Sequence, residues 1–578
     1  MYARQLFLLS LLTVFMGCQT PKTQVVPNPD ADNGGLILPQ GFGALVVADS
    51  VGPTRHIAVS ESGDIYAKFR IATGTQGNVA LRDTTGDGKA DVIQRFGDYP
   101  NDGPFATEMR IHDGYLYFSS ELVVYRQKIT PPELIPTGKP EVIVRDHHPL
   151  QWHNAKSLAF DEDGGIYMTF SAPTNVCEDW NTTTGTSVVG VKGLNPCPEL
   201  GDQAGIWRFD ADQPGQSQGD GKRFATGLRS VVALSWNTTD HRLYAVTHGR
   251  DYLYGHDPEH FTPWMNTVLP AEEFIRIKEG DDFGWPYTYF DSFQNKRILA
   301  PEYGGDGKKT PDGKFTDPLM GFPAHWAPND MLFYQGDQFP ARYRDGAFVA
   351  FHGSTNRGPY PQAGYIVAFV PFANGQPTGD WEVFADGFAG VDTIATMSDA
   401  KYRPMGLAEG PDGSLYISES RKGKIWRVVY QGDPAAFGNA QLAAMEARKS
   451  RSYIKTPDEK ADNLLLKKPL DATAIYITHC TGCHMDSGMG EPFRFPPIAN
   501  SDWVNGPTVR LIETVLNGQQ GEILVNGESY NQVMPSFAFL SDAELAEVIS
   551  FIRTNFGNHG KKVTPAEVAK VRNSKKGN

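Results

Sequence analysis

The sequence predicts a mainly β chain, a six-bladed β-propeller followed by a small all-α domain, and three observations carry that reading. One motif recurs six times before residue 431: an apolar strand, a turn of Asp, Asn or Gly, then a strand bearing an aromatic. Gly and Pro are abundant, 60 and 41 of 578 residues, which favours short strands and tight turns. After Tyr430 the texture changes to sequence rich in Ala, Lys and Glu, with helical character.

In chain order, Arg4 precedes an apolar run from Leu6 to Met16, too short to span a bilayer and of the length of a signal-peptide core. With Gly17-Cys18 behind it, the segment 1–17 resembles a bacterial lipoprotein signal, which implies lipidation of Cys18. Phe15 is bulkier than the residue usual there, so plain secretion is the alternative. Either way the chain is expected to be exported, to the periplasm or the cell surface, and to meet the membrane through a lipid anchor alone. Residues 18–35 read as a polar linker.

Residues 36–431 hold the repeats: Ser62-Gly-Asp-Ile-Tyr66, His112-Asp-Gly-Tyr-Leu-Tyr117, Asp163-Gly-Gly-Ile-Tyr167, Asp240-His-Arg-Leu-Tyr244, Asp345-Gly-Ala-Phe348 and Asp412-Gly-Ser-Leu-Tyr416. Each is a hairpin signal, and six predict six blades, with a β-sandwich or two small β domains as the alternative. The spacing widens to 104 residues between Tyr244 and Phe348, so long insertions are expected on one face.

Residues 432–466 read as a helical connector, and 467–558 as a compact helical domain. Ser541 and Glu544 form a capping box, and Leu545, Val548, Ile549 and Ile552 share one helical face that Gly557 ends. Residues 559–578 are basic and read as a solvated tail.

The chain has five cysteines. With Cys18 assigned to lipid, Cys480-Thr-Gly-Cys483-His484 is the C-x-x-C-H attachment signature for haem c. Two thiols on one helical turn reach the two vinyl groups of a porphyrin, and the next imidazole reaches the iron. No second Cys/His pair follows to complete a zinc shell. Met534, in Gln532-Val-Met-Pro535, is the expected sixth ligand, with Met485 and Met489 as packing residues. Cys177 and Cys197 remain as a disulfide pair 20 residues apart. The segment 467–558, including Phe495-Pro-Pro-Ile-Ala-Asn500, resembles a class I cytochrome c domain.

A haem needs an electron source, and no G-x-G-x-x-G follows a strand to hold a nicotinamide or flavin. The motifs His153-Asn-Ala-Lys-Ser-Leu-Ala-Phe-Asp161, Thr226-Gly-Leu-Arg-Ser230, His248-Gly-Arg-Asp251, Phe283-Gly-Trp-Pro286, Phe351-His-Gly-Ser-Thr-Asn-Arg357 and Lys401-Tyr-Arg-Pro404 occur in the order found in the PQQ-dependent glucose/sorbosone dehydrogenases, which the propeller resembles. The resemblance implies PQQ and Ca2+ as cofactors. It implies His153 as general base, Arg229 as the cation polarising the quinone, and Ser230, Arg357, Lys401 and Arg403 around PQQ. It places calcium on the backbone carbonyls of Gly249 and Arg250. Ser230 stands where the family usually has Asn, and Arg357 where its glucose enzymes have Lys. Asp83, Asp87 and Asp91 resemble an acidic calcium loop without the twelfth-position Glu of an EF-hand, and a solvated turn is the alternative.

A net charge of −14 argues against a nucleic-acid partner. The expected partners are a small sugar and an external electron acceptor: a soluble cytochrome, a copper protein or a respiratory chain. Two rivals remain, a calcium-dependent lactonase-like hydrolase and a non-catalytic ligand-binding propeller, each attached to an electron-carrying cytochrome.

Overall fold

A computed structural model of the chain describes residues 26–74, 76–100, 108–149, 155–178, 190–353, 356–464, 471–491, 494–532 and 534–574. The expected signal segment, Cys18 and His153 lie outside the described residues. Six sheets, antiparallel but for one parallel edge pairing in each of two, form a closed ring, a six-bladed propeller. Their inner strands are Thr54–Val59, Met109–His112, Leu158–Phe160, Ser230–Asn237, Pro328–Phe333 and Pro404–Glu409. The ring closes through the sixth blade, where Phe42–Ala48 pairs antiparallel with Ile425–Tyr430. One blade therefore holds both ends of the propeller sequence together.

Each aromatic of the repeated motif, Tyr66, Tyr117, Tyr167, Tyr244, Phe348 and Tyr416, stands on the second strand of its own blade and is buried. That strand is flanked on both sides and covered on both faces, so a large apolar ring is well placed there. The tight turns suit their residues: Asp113 and Gly114 both take positive φ, 46° and 77°, as a two-residue hairpin loop requires.

The longest interval folds into helices Leu253–His256 and Pro263–Val268 and the hairpin Thr288–Asp291 with Lys296–Leu299. These share a small core of Leu253, Phe261, Val268, Tyr289 and Ile298. The third-blade insertion is closed by a disulfide between Cys177 and Cys197. Replacing both by serine is expected to destabilise the protein by ~3 kcal/mol, the chain-entropy value for a loop of that size. A shift of the denaturant midpoint measures it, and an unmoved midpoint refutes it.

The connector differs from the helix expected over 432–466. Instead of one continuous helix it holds, among the described residues, the helix Asn439–Ala447, framed by Gly438 and by 3-10 turns at Pro434–Ala436 and Arg448–Ser450. The rest is held by tertiary bonds. Tyr453 Oη donates to Asp386 Oδ1 at 2.8 Å, Trp264 Nε1 to the Pro457 carbonyl at 2.8 Å and Tyr360 Oη to the Glu459 carbonyl at 2.8 Å. The strap thus lies along the propeller.

The last domain is helical, with helices Ala472–His479, Thr481–His484, Thr508–Asn517 and Asp542–Thr554 and one short hairpin, Ile523–Val525 with Glu528–Tyr530. Ser541 and Glu544 make the capping box, and Leu545, Val548, Ile549 and Ile552 are buried. Beyond it, the segment read as a solvated tail forms a helix, Pro565–Ser574. Val568 and Val571 are buried, and Arg572 Nε meets Asp542 Oδ1 at 2.7 Å. The basic composition masks a short apolar face that sequence charge alone does not reveal.

Candidate functional site

The inner strands of four blades begin around one opening, and Arg55, Ser230, Asn329 and Arg403 stand at or beside those beginnings. They line a cavity of about 450 Å³. Arg70, at the far end of the second strand of the first blade, joins them, as do His248 and His352. The same cavity continues across the domain boundary to Cys480, Cys483, His484, Arg494 and Met534. Propeller mouth and haem motif therefore face one shared space.

Its propeller wall is cationic. Burial first, and then the guanidiniums of Arg403 and Arg494, push Arg55 down to about 9. Burial with Arg55, Arg494 and Arg403 nearby does the same to Arg70, also to about 9. Arg55 Nε is buried with no hydrogen-bond partner. Such crowding is unfavourable unless an anion completes it, and a multiply charged carboxylate ligand is the natural complement. The residues present thus fit PQQ, which carries three carboxylates.

Arg229 sits beside Ser230 but is clamped, with Nη1 donating to the Gly249 carbonyl at 2.6 Å and Nη2 to Asp251 Oδ2 at 2.8 Å. On the propeller side two imidazoles border the cavity and are held neutral. Burial lowers His248 to about 4, and its Nε2–H donates to the Pro328 carbonyl at 2.8 Å. Burial and the adjacent Arg403 and Arg55 push His352 well below the usual histidine value.

The haem side is equally specific. His484 Nδ1 lies 2.9 Å from the Pro496 carbonyl. A carbonyl only accepts, so Nδ1 carries the proton and Nε2 keeps its lone pair for a metal. Burial raises the Cys480 thiol to about 12 and the Cys483 thiol to about 11. Met534 is fixed by a two-way backbone bridge to Gln519, 2.9 Å and 3.0 Å. Ile498, Val515, Phe537 and Ile552 supply an apolar lining for a macrocycle. Thiols, imidazole, thioether and lining together fit haem c.

Two expected positions are placed elsewhere. Arg357 does not line the cavity: it is fully enclosed, with Nε on the Pro361 carbonyl at 3.0 Å and Nη1 on the Ala324 carbonyl at 3.1 Å. It braces loops rather than a ligand. Lys401 is exposed, its ammonium 5.3 Å from the Tyr402 ring, because its backbone pairs with Ala389 and turns the side chain outward. Around the backbone carbonyls of Gly249 and Arg250, the expected calcium position, several groups already have partners. The Gly249 carbonyl already accepts from Arg229, and Glu272 Oε2 is taken by the Gly249 N–H at 2.7 Å. The Arg250 side chain pairs with Glu302 at 2.5 Å. Among the described residues no group of three or more His, Cys, Asp or Glu is arranged to hold a metal ion. In the acidic loop, Asp83 and Asp91 accept from backbone N–H groups of their own turn, including Gly86, Gly88 and Thr84.

Sequence reasoning missed Arg55, Arg70 and Arg494. Arg55 holds the inner-strand position in the first blade that Arg403 approaches in the sixth, so superposing the repeats would have exposed it. Arg494 lies in another domain, and no local pattern announces it.

A family model described as TrAA12-like matches residues 36–431, and a cytochrome c model matches residues 471–556. Cytochrome c-552 of Thermus thermophilus is 42% identical over 115 residues, 18% of this chain and 86% of that protein. The chain spans about half, 48%, of an uncharacterised Borreliella burgdorferi protein that it matches at 27% identity over 209 residues. Among solved structures, a Trichoderma reesei carbohydrate-active enzyme of family AA12 superposes with a TM-score of 0.54 at 17% identity, over 70% of this chain and 100% of that one. The holo PQQ domain of Coprinopsis cinerea pyranose dehydrogenase superposes with a TM-score of 0.50 at 19% identity, over 68% of this chain and 97% of that one. At those identities the structures speak for the fold.

Proposed function

Because the chain belongs to the TrAA12-like family over residues 36–431 and carries a cytochrome c domain over residues 471–556, we propose that it is an exported PQQ-dependent dehydrogenase. It oxidises an aldose or a sorbosone-like aldehyde and hands the electrons to its own haem c and then to an external acceptor. One observation carries the reading: a single cavity is lined by the guanidiniums of Arg55, Arg70 and Arg403 on one side and by Cys480, Cys483 and His484 on the other.

When bound, PQQ supplies a two-electron hydride acceptor and haem c a one-electron carrier. Arg55 and Arg70 would hold the carboxylates of the anion by charge-assisted hydrogen bonds, with Arg403, fixed on the His352 and Gly353 carbonyls, adding its charge beside them. His153 takes the proton from the substrate hydroxyl, as the resemblance implies. Arg229, anchored by Asp251, keeps a fixed positive charge beside Ser230. His484 Nε2 and Met534 would hold the haem iron, and the apolar lining would keep water from the macrocycle. No step is assigned to calcium.

The test is PQQ added to the haem-loaded protein, with and without calcium, against a panel of sugars and an artificial dye. Dye reduction that appears only with PQQ and one of the sugars supports the dehydrogenase, whereas activity independent of PQQ, or none, overturns it. Met534→Ala is expected to lower the haem midpoint potential and slow substrate-driven haem reduction in rapid mixing. A variant with an unmoved potential removes Met534 from the iron.

A further inference from the structure

The loop after the haem motif enters the propeller's cationic cluster. Glu491 is buried and forms an ion pair with Arg70 of the first blade. It also lies 3.4 Å from Arg494, three residues on in the same domain. The Arg494 guanidinium rests 4.6 Å from the centre of the Phe495 ring, and its side chain is 15% exposed. It lines the same cavity as Arg55, Arg70 and Arg403.

Positive charge gathers around it. Four guanidiniums line that space, and Glu491 and Glu121 are among the carboxylates that reach Arg70 and Arg494. Glu419, near Arg403, is occupied by the backbone N–H groups of Arg421, Lys422 and Gly423. Burial pushes Arg494 down to about 10, and its charge in turn depresses Arg55 and Arg70. Buried guanidiniums from two domains that line one cavity offer a multiply charged anion several charge-assisted donors at once.

We propose that Arg494 of the cytochrome domain is a cofactor-binding residue of the propeller's site, completing with Arg55, Arg70 and Arg403 the cradle for the carboxylates of PQQ. The propeller's site is then whole only with the cytochrome domain docked. Cofactor binding and domain docking strengthen each other by the same factor, because linkage is reciprocal. Arg494 also interacts electrostatically with Cys483, so the residue that grips one cofactor borders the attachment point of the other. This inference rests on the PQQ reading above.

The test is equilibrium PQQ binding to the full-length, haem-loaded protein without substrate, measured by ultrafiltration. Arg494→Gln is expected to weaken binding about 10- to 100-fold, the loss of a hydrogen bond to a charged group. Arg494→Lys, which keeps the charge without the fork, should recover part of that loss. The haem absorbance and melting temperature should stay as in the wild type. Binding by Arg494→Gln within twofold of the wild type overturns the inference while leaving the PQQ reading intact. A loss that Arg494→Lys does not recover at all, or one accompanied by a collapsed melting temperature, also overturns it, as a structural effect. A wild type that binds no PQQ overturns the PQQ reading itself, and this inference with it.

Discussion

A chain in which Cys480 and Cys483 are both alanine is expected to give up its haem completely to acid–acetone, while the wild type keeps it. Both thiols border the cavity at the helix Thr481–His484, and two thioethers are what would hold the porphyrin against extraction. His484 survives in the variant, with Nδ1 still on the Pro496 carbonyl, so any haem that binds is held by coordination alone. An acceptor that takes electrons from haem and not from the propeller should then go unreduced, a loss to background rather than a graded effect. The measurement is the haem absorbance of the protein pellet after extraction. Complete extraction from the wild type would remove the covalent assignment.

His153→Ala is expected to lower kcat by about 10²- to 10⁴-fold with PQQ affinity unchanged, the range for a positioned general base. His153 precedes by two residues Ala155, which borders the cavity and leads into the inner strand of the third blade. The propeller imidazoles that border the cavity are poor substitutes. His248 is held near 4, too weak a base to take a hydroxyl proton efficiently, and His352 is pushed well below its usual value. The wild-type kcat/KM should fall as pH drops through the value of the free base, because the protonated imidazole cannot accept. A variant within a few-fold of wild type, or one with an unchanged pH profile, would assign the proton transfer to another residue.

The propeller and the haem site are legible in the sequence because their signals are local. A turn of two residues followed by an aromatic strand states one hairpin, and six such hairpins state six blades. The five residues from Cys480 to His484 state their chemistry within one helical turn. The capping box at Ser541 and Glu544 works within four residues for the same reason. Arg403 reaches the cavity, yet Lys401, two residues earlier, is turned outward, and Arg357 is absorbed by the carbonyls of Pro361 and Ala324. A motif states which residues are near in the chain and leaves open which way each side chain faces.

By itself, the sequence determined the six blades, the haem attachment residues and the boundary between a β body and a helical domain, since each follows from periodicity and short-range chemistry. The tertiary structure alone decided that the connector lies along the propeller and seats the cytochrome domain over its mouth, through bonds such as Trp264 to Pro457 and Arg70 to Glu491. It alone brought Arg55, Arg70, Arg403 and Arg494 to one cavity. The physical reason is that closing the ring and docking the second domain join residues hundreds of positions apart, and charge repulsion among them exists only once that closure has occurred.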